Sequence, residues 1–159
     1  MISHFLTMGW TYKGSYITEL SDMPEGTIGF IYKITNGETG EYYIGKKNTL
    51  SVRKRKFGKK EIALITDKRK KHWEMIIKES DWKSYQSSNS IVKAWNSDRI
   101  KLEILRFCKS KKSLTYYELQ EQFAHDVLSD PNALNDNVLG KFFRKDLEEI
   151  DDPNEMEID

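Results

Sequence analysis

The sequence predicts an α+β domain: a small three-stranded antiparallel β-sheet flanked by helices. Three observations carry that expectation. Two short runs rich in β-branched and aromatic residues, Gly29–Thr35 and Glu41–Lys46, flank turn-forming residues at Asn36–Gly40, which is hairpin chemistry. A third alternating run spans Ile100–Cys108. The stretches between and after these runs repeat their apolar residues at helical spacing.

In chain order, residues 1–26 read as an N-terminal extension with scattered aromatics (Phe5, Trp10, Tyr12, Tyr16) and a turn at Pro24–Gly26. The domain itself is expected over 27–147. After the hairpin, Lys59–Ile77 shows interrupted helical periodicity through Ile62, Leu64, Ile65, Trp73, Ile76 and Ile77. A second short helix is expected within Ser87–Asn96, ahead of the third strand. Leu114–Leu128 is the clearest helix, with Ser113 as N-cap and Leu114, Tyr117, Ala124 and Leu128 along one stripe. Past Pro131 a closing segment runs through Leu139–Leu147. Residues 148–159 form an acidic tail expected to be disordered.

Composition narrows the function classes. Hydrophobic residues make up 38% of the 159 and charged residues 32%, enough for one core without disulfide or zinc staples. The single cysteine, Cys108, excludes an internal disulfide framework and a Cys-rich zinc site. Its apolar surroundings predict a small buried hydrophobe. No apolar run reaches the length of about 18 residues that a membrane span needs. The opening MISHFLTMGW has neither a basic leader nor a long apolar segment, so a cytoplasmic protein is expected.

The net charge of +1 hides an asymmetry. Between Lys46 and Lys71 stand twelve Lys/Arg and two acids, whereas Asp146–Asp159 holds eight acids and no base. A basic block that dense suits a polyanion, because each neutralised phosphate releases counterions. It equally suits a solvated lysine-rich surface.

Strand parity sharpens the hairpin. With an even loop, cross-strand partners have positions that sum to an odd number, so Tyr32 and Tyr43 share one face. Two adjacent phenols are ordinary packing in most sheets. The order of residues says more. Gly29-Phe30-Ile31-Tyr32, ten residues, then Tyr43-Ile44-Gly45 resembles the GIY-YIG nuclease family, and in particular its phage-type members. Arg53 falls eight residues after Gly45, the place of the family's catalytic arginine on its first helix. A glutamate follows on the late helix.

The resemblance implies a divalent-metal-dependent DNA endonuclease with a one-metal site, acting in the cytoplasm, the host's if phage-encoded. Tyr32 matches the tyrosine that takes a proton from the attacking water. A phenol starts near pKa ~10, so that role asks for nearby positive charge, and Lys46 is the expected source, with Lys47 beside it. Tyr43 matches the second tyrosine, which orients the water or a phosphate oxygen. Arg53 would clamp the phosphate. Mg²⁺ or Mn²⁺ would be held by Glu118, in the Tyr116-Tyr117-Glu118 pattern. Glu121 is the second choice, since the helical wheel places it inside the apolar stripe. Lys47, Lys54, Arg55, Lys56, Lys59, Lys60 and Ser88 are expected along the DNA.

Two departures from the family pattern stand out. Phe57 occupies a place where many members carry His or Tyr. Ser87 replaces the glycine of a W-x-x-Y-x-G-S segment that begins here at Trp82. The alternative expectation is a nuclease-derived module that binds nucleic acid but cuts it weakly.

Overall fold

The computed structural model describes residues 9–147; the acidic tail and the first eight residues of the extension lie outside the described residues. The elements in order are β1 (Trp10–Tyr12), β2 (Ser15–Ile17), β3 (Gly29–Asn36), β4 (Tyr42–Asn48), β5 (Leu50–Lys56), α1 (Lys59–Ala63), β6 (Trp73–Glu79), α2 (Ser90–Lys93), β7 (Ile100–Cys108), α3 (Lys111–Ala124), β8 (Asn137–Val138) and β9 (Phe142–Phe143). The α+β architecture is as expected. Its sheet, however, has five strands rather than three, in the order β2-β1-β7-β3-β4.

The antiparallel β7-β3-β4 centre is the sheet read from the sequence. The enlargement comes from the extension: β1 lies parallel to β7, with Trp10 opposite Leu102, and turns back into β2. Trp10 is buried, its indole N–H donates to the Trp82 carbonyl at 2.8 Å, and its ring meets Phe30 edge-on. A residue that buries so much apolar surface belongs to the core.

The sheet has two covered faces. Phe30, Tyr32 and Ile34 point to one, packed with Trp10, Trp82 and Val92. Ile31, Ile44 and Cys108 point to the other, under Leu114 of α3. The buried Cys108 is the small hydrophobe expected. A register shift between Ile31 and Tyr32 against β7 lets Ile104 and Phe107 reach the same face despite their odd spacing.

Three elements differ from the sequence expectation. The helix expected over Lys59–Ile77 is only α1; Trp73–Glu79 is a strand, paired antiparallel with β5 as a separate ribbon. The late helix begins two residues before Ser113, capped by Ser110, whose hydroxyl accepts from the Ser113 amide while Ser113 returns the bond. It ends at Ala124 rather than Leu128, because Asp126 takes a left-handed φ of 50°. Val127 and Leu128 remain buried, in the turn that follows.

Edge strand β4 is covered by the segment after α3. Tyr42 N–H donates to the Asn132 carbonyl and Leu134 N–H to the Tyr42 carbonyl. The Asn135 amide accepts from Ile44 N–H and donates to the Ile44 carbonyl. These bonds occupy backbone groups that would otherwise invite another strand. Arg144 ties the segment down, donating to the carbonyls of Val127, Asp130, Ala133 and Asn135. Among the described residues no helix is long and apolar enough to cross a membrane.

Candidate active site

The β3–β4 register sums to an odd number throughout, with Tyr32 opposite Gly45 and Ile34 opposite Tyr43. Tyr32 and Tyr43 therefore share a face, their ring centroids 6.3 Å apart, as parity predicts. The motif glycines have steric reasons. A Cβ on Gly45 would sit 2.6 Å from the Tyr32 hydroxyl and 3.0 Å from the Tyr43 ring. One on Gly29 would sit 2.8 Å from both the Leu114 side chain and the Lys47 carbonyl. The glycines let one phenol lie across the neighbouring strand and let α3 approach the sheet.

Tyr32 is only 1% exposed. Its hydroxyl donates to Ser87 Oγ at 3.2 Å, and its ring meets Tyr85 edge-on. Burial, reinforced by Tyr85, pushes its pKa far above the ordinary phenol value, with the Ser87 bond opposing. The expected lowering by Lys46 is not what the structure has, and strand alternation explains it. Lys46 projects to the opposite face, where its ammonium lies 3.1 Å from Thr115 Oγ1 and 3.8 Å from Glu118. Lys47 is on the Tyr32 face, yet it pairs with Asp81 and lies 4.2 Å from the Tyr85 ring centroid.

Ser87, the residue in place of the family glycine, holds a left-handed φ of 78°. Its hydroxyl also accepts from Asn89 N–H. Asn89 in turn caps α2 through its side chain. The loop is thus a built floor beneath Tyr32, and Ser88 sits exposed on it.

Because β4 is an edge strand, side chains from both sheet faces meet beyond it. A cleft of about 240 Å³ opens there, lined by Tyr43, Asn89, Glu118, Gln122, Asn135 and Asp136, among others. Burial raises the Glu118 carboxyl above the ordinary range, against the lowering pull of Lys46. Burial also raises Tyr43, with Glu118 the next cause. Glu121 is elsewhere, its carboxylate 3.7 Å from His125 Nδ1. The two side chains are almost equally buried, 19% exposed for Glu118 and 22% for Glu121; of the two, Glu118 lines the cleft, between the buried Leu114 and Gln122 four residues to either side.

The model of a family described as "Putative endonuclease segE, GIY-YIG domain" matches residues 10–143. The chain belongs to this GIY-YIG family. The match spans the five-stranded sheet, both phenols, the cleft and the β8–β9 hairpin. No curated protein and no solved structure matches the chain. A nuclease domain is what the family assignment gives.

Arg53, expected on the first helix of this domain, stands instead on β5 of the ribbon, exposed. Its neighbour Arg55 is the guanidinium held in place, by Glu61 and Glu74. Phe57 packs near the Arg55 guanidinium. Lys54 lies over the Trp73 ring, and Lys56, Lys59 and Lys60 are exposed along the same basic surface. The structure therefore brings together Tyr32, Tyr43 and Ser87, and separately Tyr43, Glu118 and Lys46 through the cleft edge. It does not bring Arg53 to them.

Sequence reading missed Gln122, Asn135 and Asp136. Gln122 is buried, and its amide N–H donates to the Ile44 carbonyl at 3.1 Å, leaving a buried Oε1 with no hydrogen-bond partner. Its spacing of one helical turn from Glu118 was the available signal. Asn135, one of several polar residues in 132–137, had none. Among the described residues there is no cluster of three or more His, Cys, Asp or Glu side chains able to hold a metal. The cleft is lined by two residues with hard oxygen donors, the Glu118 and Asp136 carboxylates, and by Gln122, whose buried Oε1 is unpaired. That set fits Mg²⁺ or Mn²⁺, ions bound by one or two carboxylates with retained waters.

Proposed function

We propose that this chain is a divalent-metal-dependent DNA endonuclease whose metal sits at Glu118. The observation that carries it is the convergence of Tyr43, Glu118, Gln122 and Asp136 on one cleft at the sheet edge, Gln122 with its buried Oε1 unpaired. A buried carboxylate with a raised pKa is stabilised as the anion when a cation binds beside it. Bound Mg²⁺ or Mn²⁺ would neutralise charge developing on the phosphoryl group and the leaving 3′ oxygen.

The chain's own groups supply the rest. Tyr43, half-buried and lining the cleft, hydrogen-bonds the attacking water and orients it. Tyr32, buried behind it and held protonated, fixes the Tyr43 ring and the Ser87 loop. Tyr32 as the proton acceptor fits the environment poorly, because burial opposes its phenolate. Lys46 balances Glu118 and faces the incoming phosphate. Arg53 contacts DNA from the ribbon, alongside Lys54, Lys56, Lys59 and Lys60, and Ser88 from its exposed loop.

The test is cleavage of supercoiled plasmid in Mg²⁺ or Mn²⁺. The expected result is nicked or linear product from the intact chain, at least about 100-fold less from Tyr43→Phe, and a smaller loss from Tyr32→Phe. An intact chain that leaves duplex and branched DNA uncut with either metal overturns the proposal. Binding without cleavage would favour the module reading, which the buried, protonated Tyr32 supports.

A further inference from the structure

Strands β5 and β6 pair with each other and, among the described residues, with no other strand. The ribbon is anchored at its root, where Ser80 N–H donates to the Thr49 carbonyl and Ser80 Oγ–H to the Asn48 carbonyl. Its register sets Val52 opposite Ile77, Lys54 opposite Met75 and Lys56 opposite Trp73, so these six side chains share one face. Val52, Met75 and Ile77 are 44%, 54% and 63% exposed. The ammoniums of Lys54 and Lys71 lie 4.2 and 4.6 Å from the Trp73 ring centroid.

The ribbon's carboxylates are engaged elsewhere. Arg55 takes Glu74 and Glu61, and holds the Glu61 carboxyl down at about 2. Glu79 accepts from the Trp82 indole N–H. What remains outward is an apolar stripe bordered by lysines. An exposed stripe of this kind marks an interaction surface, and its charge selects a polyanion.

We propose that this face of the ribbon enters the major groove of duplex DNA. Lys54 and Lys56 reach the flanking phosphates, while Val52, Met75 and Ile77 lie against base edges, thymine methyls above all. The inference rests on the nuclease reading and adds to it a sequence-reading arm separate from the cleft. The geometry suits the occupant: the major groove, about 12 Å wide, admits a two-stranded ribbon. Apolar side chains read the C5-methyl of thymine there.

The experiment measures binding of short labelled duplexes by anisotropy across a salt series, in a Glu118→Ala background that prevents cleavage. Two duplexes of one sequence are compared, one with thymine and one with uracil throughout. The unaltered ribbon is expected to bind the thymine duplex several-fold more tightly. Met75→Ser with Ile77→Ser is expected to erase that preference and leave the salt slope unchanged. Lys54→Ala with Lys56→Ala is expected to weaken both duplexes alike and reduce the slope by roughly 2.

These side chains are exposed, so circular dichroism of each variant is expected to match the parent. Equal binding by parent and ribbon variants, with unchanged preference and slope, overturns the inference. So does a stripe variant that alters only self-association in light scattering. If the parent cuts plasmid and the ribbon variants cut it identically, the arm alone falls. If the chain with Glu118 intact neither binds nor cuts DNA, the nuclease reading falls with it.

Discussion

Glu118 carries a cost in the free protein that a cation would remove. Burial raises its pKa in the folded state, so the folded protein holds that proton more tightly than the unfolded chain. Stability contributed by the protonated form is therefore full below the unfolded carboxylate pKa and is lost as pH rises through the folded one. Glu118→Gln is expected to melt at higher temperature than the parent at neutral pH, with the advantage shrinking as pH falls through the raised folded pKa and gone below the ordinary carboxylate value. Added Mg²⁺ is expected to raise the parent's melting temperature and leave the variant's unchanged. A parent indifferent to the metal in thermal melts would count against the cleft as its site.

Gly45 gives a second residue-scale outcome. Alanine there drives a methyl group toward the Tyr32 hydroxyl at 2.6 Å, with the β3 backbone and the Ser87 floor behind that ring. Gly45→Ala is expected to cost about 1–3 kcal/mol in denaturant unfolding. A variant as stable as the parent would show that Tyr32 is freer than its packing implies. The motif glycine was legible in the sequence; what it makes room for was not, because a close approach across strands depends on register.

At the scale of elements, the sequence told most where an element packs on a core. β3 is buried on both faces, its apolar run and the turn after it marked the hairpin, and parity then placed Tyr32 and Tyr43 together. The ribbon hid for the opposite reason. Ile76 breaks the alternation of Trp73, Met75 and Ile77, and Lys54 and Lys56 share the face of Val52, so the strand period is blurred. Trp73, Ile76 and Ile77 consequently matched a helical spacing by coincidence. An element that packs on no core keeps no clean binary pattern. Amide hydrogen exchange is expected to follow the same division, with β5 and β6 exchanging orders of magnitude faster than β3 and β7. Equal protection across both sheets would indicate a partner or packing that stabilises the free ribbon.

Taken as a whole, the molecule depends on its first strands more than an extension would. Trp10 closes the core that also holds Phe30, Tyr32 and Trp82, so the sheet face bearing the phenols is finished by residues far upstream of the hairpin. Trp10→Ala is expected to destabilise the fold by about 3–5 kcal/mol in denaturant unfolding. A loss under 1 kcal/mol would mean that β1 and β2 are accessory. The cleft likewise draws on distant segments: Tyr43 from β4, Glu118 and Gln122 from α3, Asp136 from the strap that Arg144 holds over the sheet edge. Asp136 is brought there only by that strap and could not be read from local spacing, whereas Gln122, one helical turn after Glu118, carried a local signal.

The central claim is that a metal ion at Glu118 makes this GIY-YIG domain a nuclease, and paired substitutions on α3 test it most directly. Plasmid cleavage is measured across a Mn²⁺ titration for the parent, Glu118→Ala and Glu121→Ala. The expected result is metal-dependent cutting by the parent and by Glu121→Ala, and none by Glu118→Ala at any metal concentration. Cutting that survives in Glu118→Ala and disappears in Glu121→Ala would contradict the account.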